Sequence, residues 1–236
     1  VREQLPWYVL ATGIAAHFIR AYLPDKGRVI DVGASTGNIG RAIARTLQQR
    51  KATLIPIDAA PAMSKVYDAP GELRVIDACD FPFESTNPDV IVCFLSLMFV
   101  PVAARADLIV TMRESLKPGG VLIVFDKIQP RGGYLGTVAY RLTLAAKHEA
   151  GASPANIIAK ELSLSGVQRP LNEAELAGFV EVFRFGDFAG FVYESRLSSA
   201  SRARVRASAQ SARAIASASR PFSVRTVFVG RKHCCG

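Results

Sequence analysis

Four cysteines in 236 residues, at Cys79, Cys93, Cys234 and Cys235, show neither the paired spacing of a zinc site nor a framework of cross-links. A disulfide scaffold and a structural metal are therefore not expected. Histidine is equally scarce: His17, His148 and His233 lie far apart, and no metal-binding pair is expected among them. The longest run without a charged residue, Val90 to Ala104, has 15 positions and contains Pro101. A membrane-spanning helix needs about 20 apolar residues, so none is expected. No apolar segment with a small-residue cleavage site follows the first residues, which makes a cytoplasmic location the default reading.

Acidic residues are missing from the end of the chain. Residues 1–194 carry 20 Lys+Arg and 20 Asp+Glu, whereas residues 195–236 carry nine Lys+Arg and no acid, so the whole formal charge of +9 lies in the tail. Residues 195–220 hold eight Ser, eight Ala and six Arg, a low-complexity composition. Such a tail reads either as a solvated extension or as a polycation that contacts RNA phosphates by releasing counterions. Both readings stay open, as does a short strand at Val224 to Val229. The expected division is one domain over 1–194 and a basic Ser/Ala/Arg-rich tail over 195–236.

What remains is apolar enough, at 50% hydrophobic residues, to bury one sizeable core. Strand-like runs at Arg28 to Val32, Thr53 to Ile57, Leu73 to Ile76, Val90 to Phe94 and Val121 to Phe125 alternate with helical patterns at Ile39 to Gln49 and Ala103 to Leu116. This rhythm predicts an α/β fold with a mainly parallel sheet covered on both faces. Val180 to Phe185 and Phe188 to Glu194, joined at Gly186-Asp187, predict a closing antiparallel hairpin. Between sheet and hairpin, residues 131–166 read as two helices, a lid over the carboxyl ends of the strands, where open α/β sheets bind ligands.

The segment Asp31-Val32-Gly33-Ala34-Ser35-Thr36-Gly37 joins a strand to a helix through small residues. Its glycines permit a sharp turn and close approach to a ligand, and the helix start favours an anionic group. The Gly-x-x-x-Gly spacing differs from the dinucleotide fingerprint, which disfavours NAD and FAD. Asp58, at the end of the next strand, can accept hydrogen bonds from two ribose hydroxyls. Asp80 with Phe81, after the third strand, offers an acid for an exocyclic amine and a ring for an adenine face. Taken singly, Asp58 is also a turn former and Asp80 a helix cap.

With Pro6-Trp7-Tyr8, Ile57-Asp58-Ala59-Ala60-Pro61-Ala62-Met63 and Leu116-Lys117-Pro118-Gly119-Gly120 added, the pattern from about Leu5 to Glu194 resembles the class I S-adenosylmethionine-dependent methyltransferases. Within that group it is most similar to the carboxy-S-adenosylmethionine synthase family of bacterial wobble-uridine tRNA modification. The resemblance implies a Rossmann-like sheet of seven strands and S-adenosyl-L-methionine as cofactor. It also implies that Asp31, Gly33 and the Ala34, Ser35 and Gly37 turn hold the methionine part, Asp58 with Ala59 the ribose, and Asp80 with Phe81 the adenine, while Tyr8 closes over the methionine end. At two positions the sequence departs from the family: Glu161, beside Lys160, stands where the family places an Arg, and Phe94 where it places an Asn.

In-line methyl transfer depends on positioning more than on a strong acid or base. If the acceptor needs deprotonation, His148, Glu149 and Asp126 are the candidate bases; Tyr134, Tyr140 and Lys160 are the candidate acceptor-binding residues on the lid. Three functions stay open: methyl transfer to a small-molecule or nucleotide acceptor, synthesis of a carboxylated cofactor for tRNA modification, and a non-catalytic cofactor-binding subunit.

Overall fold

The computed structural model describes Leu5, residues 7–130 and residues 132–196. The basic tail beyond Arg196, the strand expected at Val224 to Val229, His233, and the Cys234-Cys235 pair lie outside the described residues, as does Pro6.

The sheet has seven strands: β1 (Arg28–Val32), β2 (Thr53–Asp58), β3 (Arg74–Val75), β4 (Val90–Phe94), β5 (Val121–Lys127), β6 (Val180–Phe185) and β7 (Phe188–Glu194). Their order is β3-β2-β1-β4-β5-β7-β6. The first five are parallel, and β7 runs antiparallel to both β5 and β6. The chain leaves β1 toward β2 on one side and returns through β4 on the other, so the crevice above β1 and β4 is the switch point at which α/β sheets take ligands.

Strand composition explains this arrangement. β4 is Val-Ile-Val-Cys-Phe and buried throughout, as a central parallel strand covered on both faces must be. Ile30, Ile57, Ile91 and Leu122 face a core under α4 (Val102–Ser115), while Val29, Val92, Ile123 and Phe125 face α1 (Tyr8–Tyr22) and α2 (Asn38–Arg50). β3 is shorter than its sequence suggests, pairing only at Arg74 and Val75, because both of its residues are exposed at the sheet edge. A short α3 (Phe83–Thr86) was not apparent in the sequence.

The insertion between β5 and β6 forms two helices, α5 (Tyr134–Glu149) and α6 (Pro154–Ser163). The chain leaves from the carboxyl end of β5 and returns at Leu171, which bridges in parallel to Ile128. The insertion therefore springs from the same edge of the sheet as the switch point. Buried Arg105 of α4 secures the return: its guanidinium donates to the carbonyls of Val100, Arg169 and Pro170 and pairs with Glu175 at 3.3 Å.

Candidate functional site

The turn after β1 is held from below by β2. The amides of Gly33 and Ala34 both donate to the Ile57 carbonyl at 2.9 Å, and the Ser35 amide donates to Asp58 Oδ2 at 2.8 Å. Asp58 Oδ1 accepts the Ala60 amide at 2.9 Å. One carboxylate thus ties the glycine turn to the turn after β2, and each oxygen keeps lone-pair capacity for a further donor such as a ribose hydroxyl. Ser35 has φ +50, a left-handed conformation that costs a non-glycine residue energy and is stabilised here by that bond.

Gly33 (φ +72) and Gly37 (φ +85) are required by the chain itself. A Cβ on Gly33 would stand 2.5 Å from the Ser96 Cβ, and one on Gly37 would stand 2.4 Å from the Ala69 Cβ. The turn after β1 thus lies in direct contact with the segments that follow β4 and β2. The first amides of α2 have no side-chain cap from Gly37, which leaves a helix N-terminus suited to a carboxylate.

Asp31 lies beneath this turn, 1% exposed, with Oδ2 buried and lacking a hydrogen-bond partner. Burial, reinforced by the charge of Asp58, pushes its carboxyl up to about 7. The Ser96 hydroxyl, across the switch point, is likewise buried without a partner. An orphaned carboxylate and hydroxyl beside an open helix N-terminus fit the ammonium and carboxylate of an amino acid such as the methionine end of the expected cofactor.

Tyr8 packs edge-on against Phe94 with ring centroids 5.4 Å apart, and Thr12, one turn along α1, accepts a hydrogen bond from Asn38 Nδ2 at 2.9 Å. The start of α1 is thereby drawn to the start of α2 and to the end of β4. The Thr12–Asn38 link was not singled out in the sequence, and nothing in it but helical spacing could have indicated the pair. On the far side, the Ile76 amide donates to the Asp58 carbonyl, so the segment leading to Asp80 leaves beside Asp58, and Asp80 is exposed there.

Phe81, Asp126, His148, Tyr134 and Lys160 have surroundings that the sequence did not indicate. Phe81 is 4% exposed and packs against Phe83 at 4.9 Å, so its ring belongs to the core and offers no open face to an adenine. Asp126 is buried, accepting the amides of Met98 at 3.2 Å and Lys127 at 2.8 Å, and fixes the 3-10 turn Leu97–Phe99. Burial pushes its carboxyl up to about 7 against those hydrogen bonds. His148 has Nδ1 3.1 Å from the Ala152 carbonyl and closes the link between α5 and α6. Tyr134 is 73% exposed, and Lys160 is exposed as well. A helix turns about 100° per residue, so the side chain that reaches inward is the neighbouring Glu161.

Glu161 sits among cations. Its carboxylate lies 2.7 Å from Lys147 Nζ and 3.8 Å from Lys127 Nζ, and Tyr140 donates to it at 3.4 Å. Lys127 also reaches Asp187 at 3.5 Å and Gln168 at 3.2 Å. Burial pushes the Glu161 carboxyl up, but the Lys147 hydrogen bond and the two ammonium charges outweigh it and hold the group below its usual range. Among the described residues no cluster of His, Cys, Asp and Glu could hold a metal ion, and no helix is long and apolar enough to cross a membrane.

Residues 29–120 match the family model of a methyltransferase domain. The chain is 33% identical over 205 residues to a carboxy-S-adenosyl-L-methionine synthase of Wolinella succinogenes, covering 80% of this chain and 85% of that protein. It is 27% identical over 206 residues to the synthase of that name from Staphylococcus epidermidis, covering 81% and 89%. A solved S-adenosylmethionine-dependent methyltransferase of Methanosarcina mazei shares the fold, with a TM-score of 0.51 at 18% identity over 77% of this chain and 98% of that one.

Proposed function

Because the chain belongs to the carboxy-S-adenosyl-L-methionine synthase family of S-adenosylmethionine-dependent methyltransferase-fold enzymes, we propose that it transfers the sulfonium methyl group in line to a small-molecule or nucleotide acceptor. The observation that carries this reading is the buried, unpartnered Asp31 carboxylate lying under a turn that Asp58 braces.

In this reading Asp31 accepts the ammonium of the methionine end, and the amides at the start of α2 take its carboxylate. Asp58 accepts the ribose hydroxyls while keeping its two backbone donors, and Asp80 accepts the adenine amine. Tyr8 lies over the methionine end, braced by Phe94. Ala34, Ser35 and Ala59 supply small surfaces that let the ligand meet the backbone. When bound, the cofactor supplies an activated methyl whose carbon–sulfur bond breaks as an acceptor lone pair attacks from the opposite side. The chain's contribution is positioning and exclusion of water, which can account for about 7–11 kcal/mol of the barrier. The burial of Asp126 and the contact of His148 with the Ala152 carbonyl leave the exposed Glu149 as the remaining candidate base, and an acceptor that is already a free nucleophile needs none. Tyr140 and the cluster behind it border the acceptor side.

Titration calorimetry of the full chain with S-adenosylmethionine and S-adenosylhomocysteine tests this assignment. Binding of both, weakened at least tenfold by Asp31→Asn, supports it. Absence of heat with either ligand overturns it.

A second reading, synthesis of a carboxylated cofactor, is favoured by the two lysines gathered at Lys127 and Lys147 and by the names of the relatives. Glu161 already neutralises those lysines, which argues for the first reading. Incubation with S-adenosylmethionine and prephenate separates the two: a cofactor that gains a carboxylate without any acceptor supports the second and ties the protein to tRNA modification. Contact between the basic tail and RNA belongs to either reading. It predicts affinity that falls steeply with salt and a flatter slope once residues 195–236 are removed.

A further inference from the structure

The α5–α6 insertion rests on the sheet in an unusual way. α6 buries none of its residues, and α5 buries only Gly136, Thr143 and Ala146. Leu135, Val138, Leu142, Ile158 and Leu162 are exposed, so no apolar seam of the usual kind fixes the pair to the body.

Its backbone attachments are glycines. Gly133 (φ +76) precedes α5, Gly151 (φ +91) forms the elbow, and Gly166 (φ +77) follows α6; a Cβ at any of the three would meet nothing within 4 Å. Unlike Gly33 and Gly37, these positions are not forced by a close neighbour. They leave the chain free to turn at both ends and at the elbow.

The insertion is instead secured by charge. From the body come Lys127, at the end of β5, and Asp187, in the β6–β7 turn. From the insertion come Thr143, whose hydroxyl donates to Asp187 Oδ1 at 2.6 Å, Lys147 and Glu161, paired at 2.7 Å, and Tyr140, whose ring lies 5.8 Å from Lys127 Nζ. Lys127 completes the cluster with Glu161 at 3.8 Å and Asp187 at 3.5 Å. These groups are largely withdrawn from water, so removing one partner leaves a desolvated charge behind, and the cluster acts as a unit.

We propose that α5–α6 is a hinged lid whose closed state is held by an ionic clasp, Lys127 and Asp187 on the body against Thr143, Lys147 and Glu161 on the lid, with Gly133, Gly151 and Gly166 as its hinges. The clasp stands on the edge of the sheet where the switch point opens, so its release widens the approach to that edge. The proposal is independent of which ligand the glycine turn holds.

Hydrogen–deuterium exchange on the full chain, without ligand, provides the test. In Glu161→Gln, amides of residues 137–163 exchange roughly ten- to a hundredfold faster than in the unmodified protein, while those of β1, β4 and β5 keep their protection. Thr143→Val, which keeps the volume and removes the Asp187 bond, gives a smaller rise of about three- to tenfold confined to the same residues. Unchanged lid exchange in Glu161→Gln overturns the clasp. Equal acceleration in lid and central strands overturns it too, because the cluster would then support the whole fold. If Glu161→Gln does not fold, Thr143→Val decides alone, on the same two outcomes.

Discussion

Replacing Asp58 by Ala is the most informative single change. It removes a carboxylate that accepts the amides of Ser35 at 2.8 Å and Ala60 at 2.9 Å, and with them the support for Ser35 at φ +50. Hydrogen bonds to a charged acceptor contribute about 1.5–3 kcal/mol each when buried. Both of these are exposed, so about 1 kcal/mol apiece is the appropriate scale. A loss of about 2 kcal/mol lowers the melting temperature of a domain this size by roughly 4–8 °C. On the proposed ribose assignment ligand affinity falls further, because two hydroxyls lose a charged acceptor, about 3 kcal/mol or roughly a hundredfold in Kd for S-adenosylhomocysteine. Scanning calorimetry gives the first quantity and titration calorimetry the second. A folded Asp58→Ala protein that binds the nucleoside within threefold of the original would refute the assignment of the ribose to this residue, whatever happens to the melting point.

Three further outcomes follow from the same geometry. Gly33→Ala places a Cβ 2.5 Å from that of Ser96 at φ +72, and should cost about 3 kcal/mol in urea unfolding; adding Ser96→Gly should restore roughly half by relieving the clash but not the backbone strain. Asp31 and Asp126, both raised to about 7, are protonated in the folded chain and ionised in the unfolded chain across roughly pH 4–7. The unfolded state then binds fewer protons, so stability is greatest at the acid end of that window and declines toward pH 7, by about 1.4 kcal/mol per pH unit for each group. Denaturant titrations should show Asp126→Asn flattening this slope; a slope that rises with pH contradicts the burial argument. Arg105→Met leaves three carbonyls without their donor and Glu175 with only the Asn172 amide, and should cost about 3–5 kcal/mol by chemical denaturation, whereas a near-neutral result would mean that the return segment at 169–171 is held by its backbone bonds alone.

The glycine turn and Asp58 could be read from sequence because their geometry is local. A strand, a small-residue turn and a helix start within ten residues can assemble in only one manner, and an acid at the next strand end falls beside them once the β-α-β unit closes with its usual hand. The alternation of strands and helices likewise set the sheet and its closing hairpin. Side-chain direction was not accessible in this way. Of Asp80 and Phe81, and of Lys160 and Glu161, one side chain turns inward, whereas Asp126 and Lys127 are both buried on opposite faces of the sheet; these directions depend on the phase of each element against the rest of the fold. The ionic cluster lay further still from sequence reasoning. Its members come from β5, α5, α6 and the β6–β7 turn, separated by up to 60 residues, and only the folding of the insertion back over the sheet brings Lys127, Glu161 and Asp187 into one shielded space. Sequence fixed the chemistry within each local unit, because short-range sterics admit few alternatives there; tertiary structure decided which charges meet, because that depends on distances the chain closes only when it is folded.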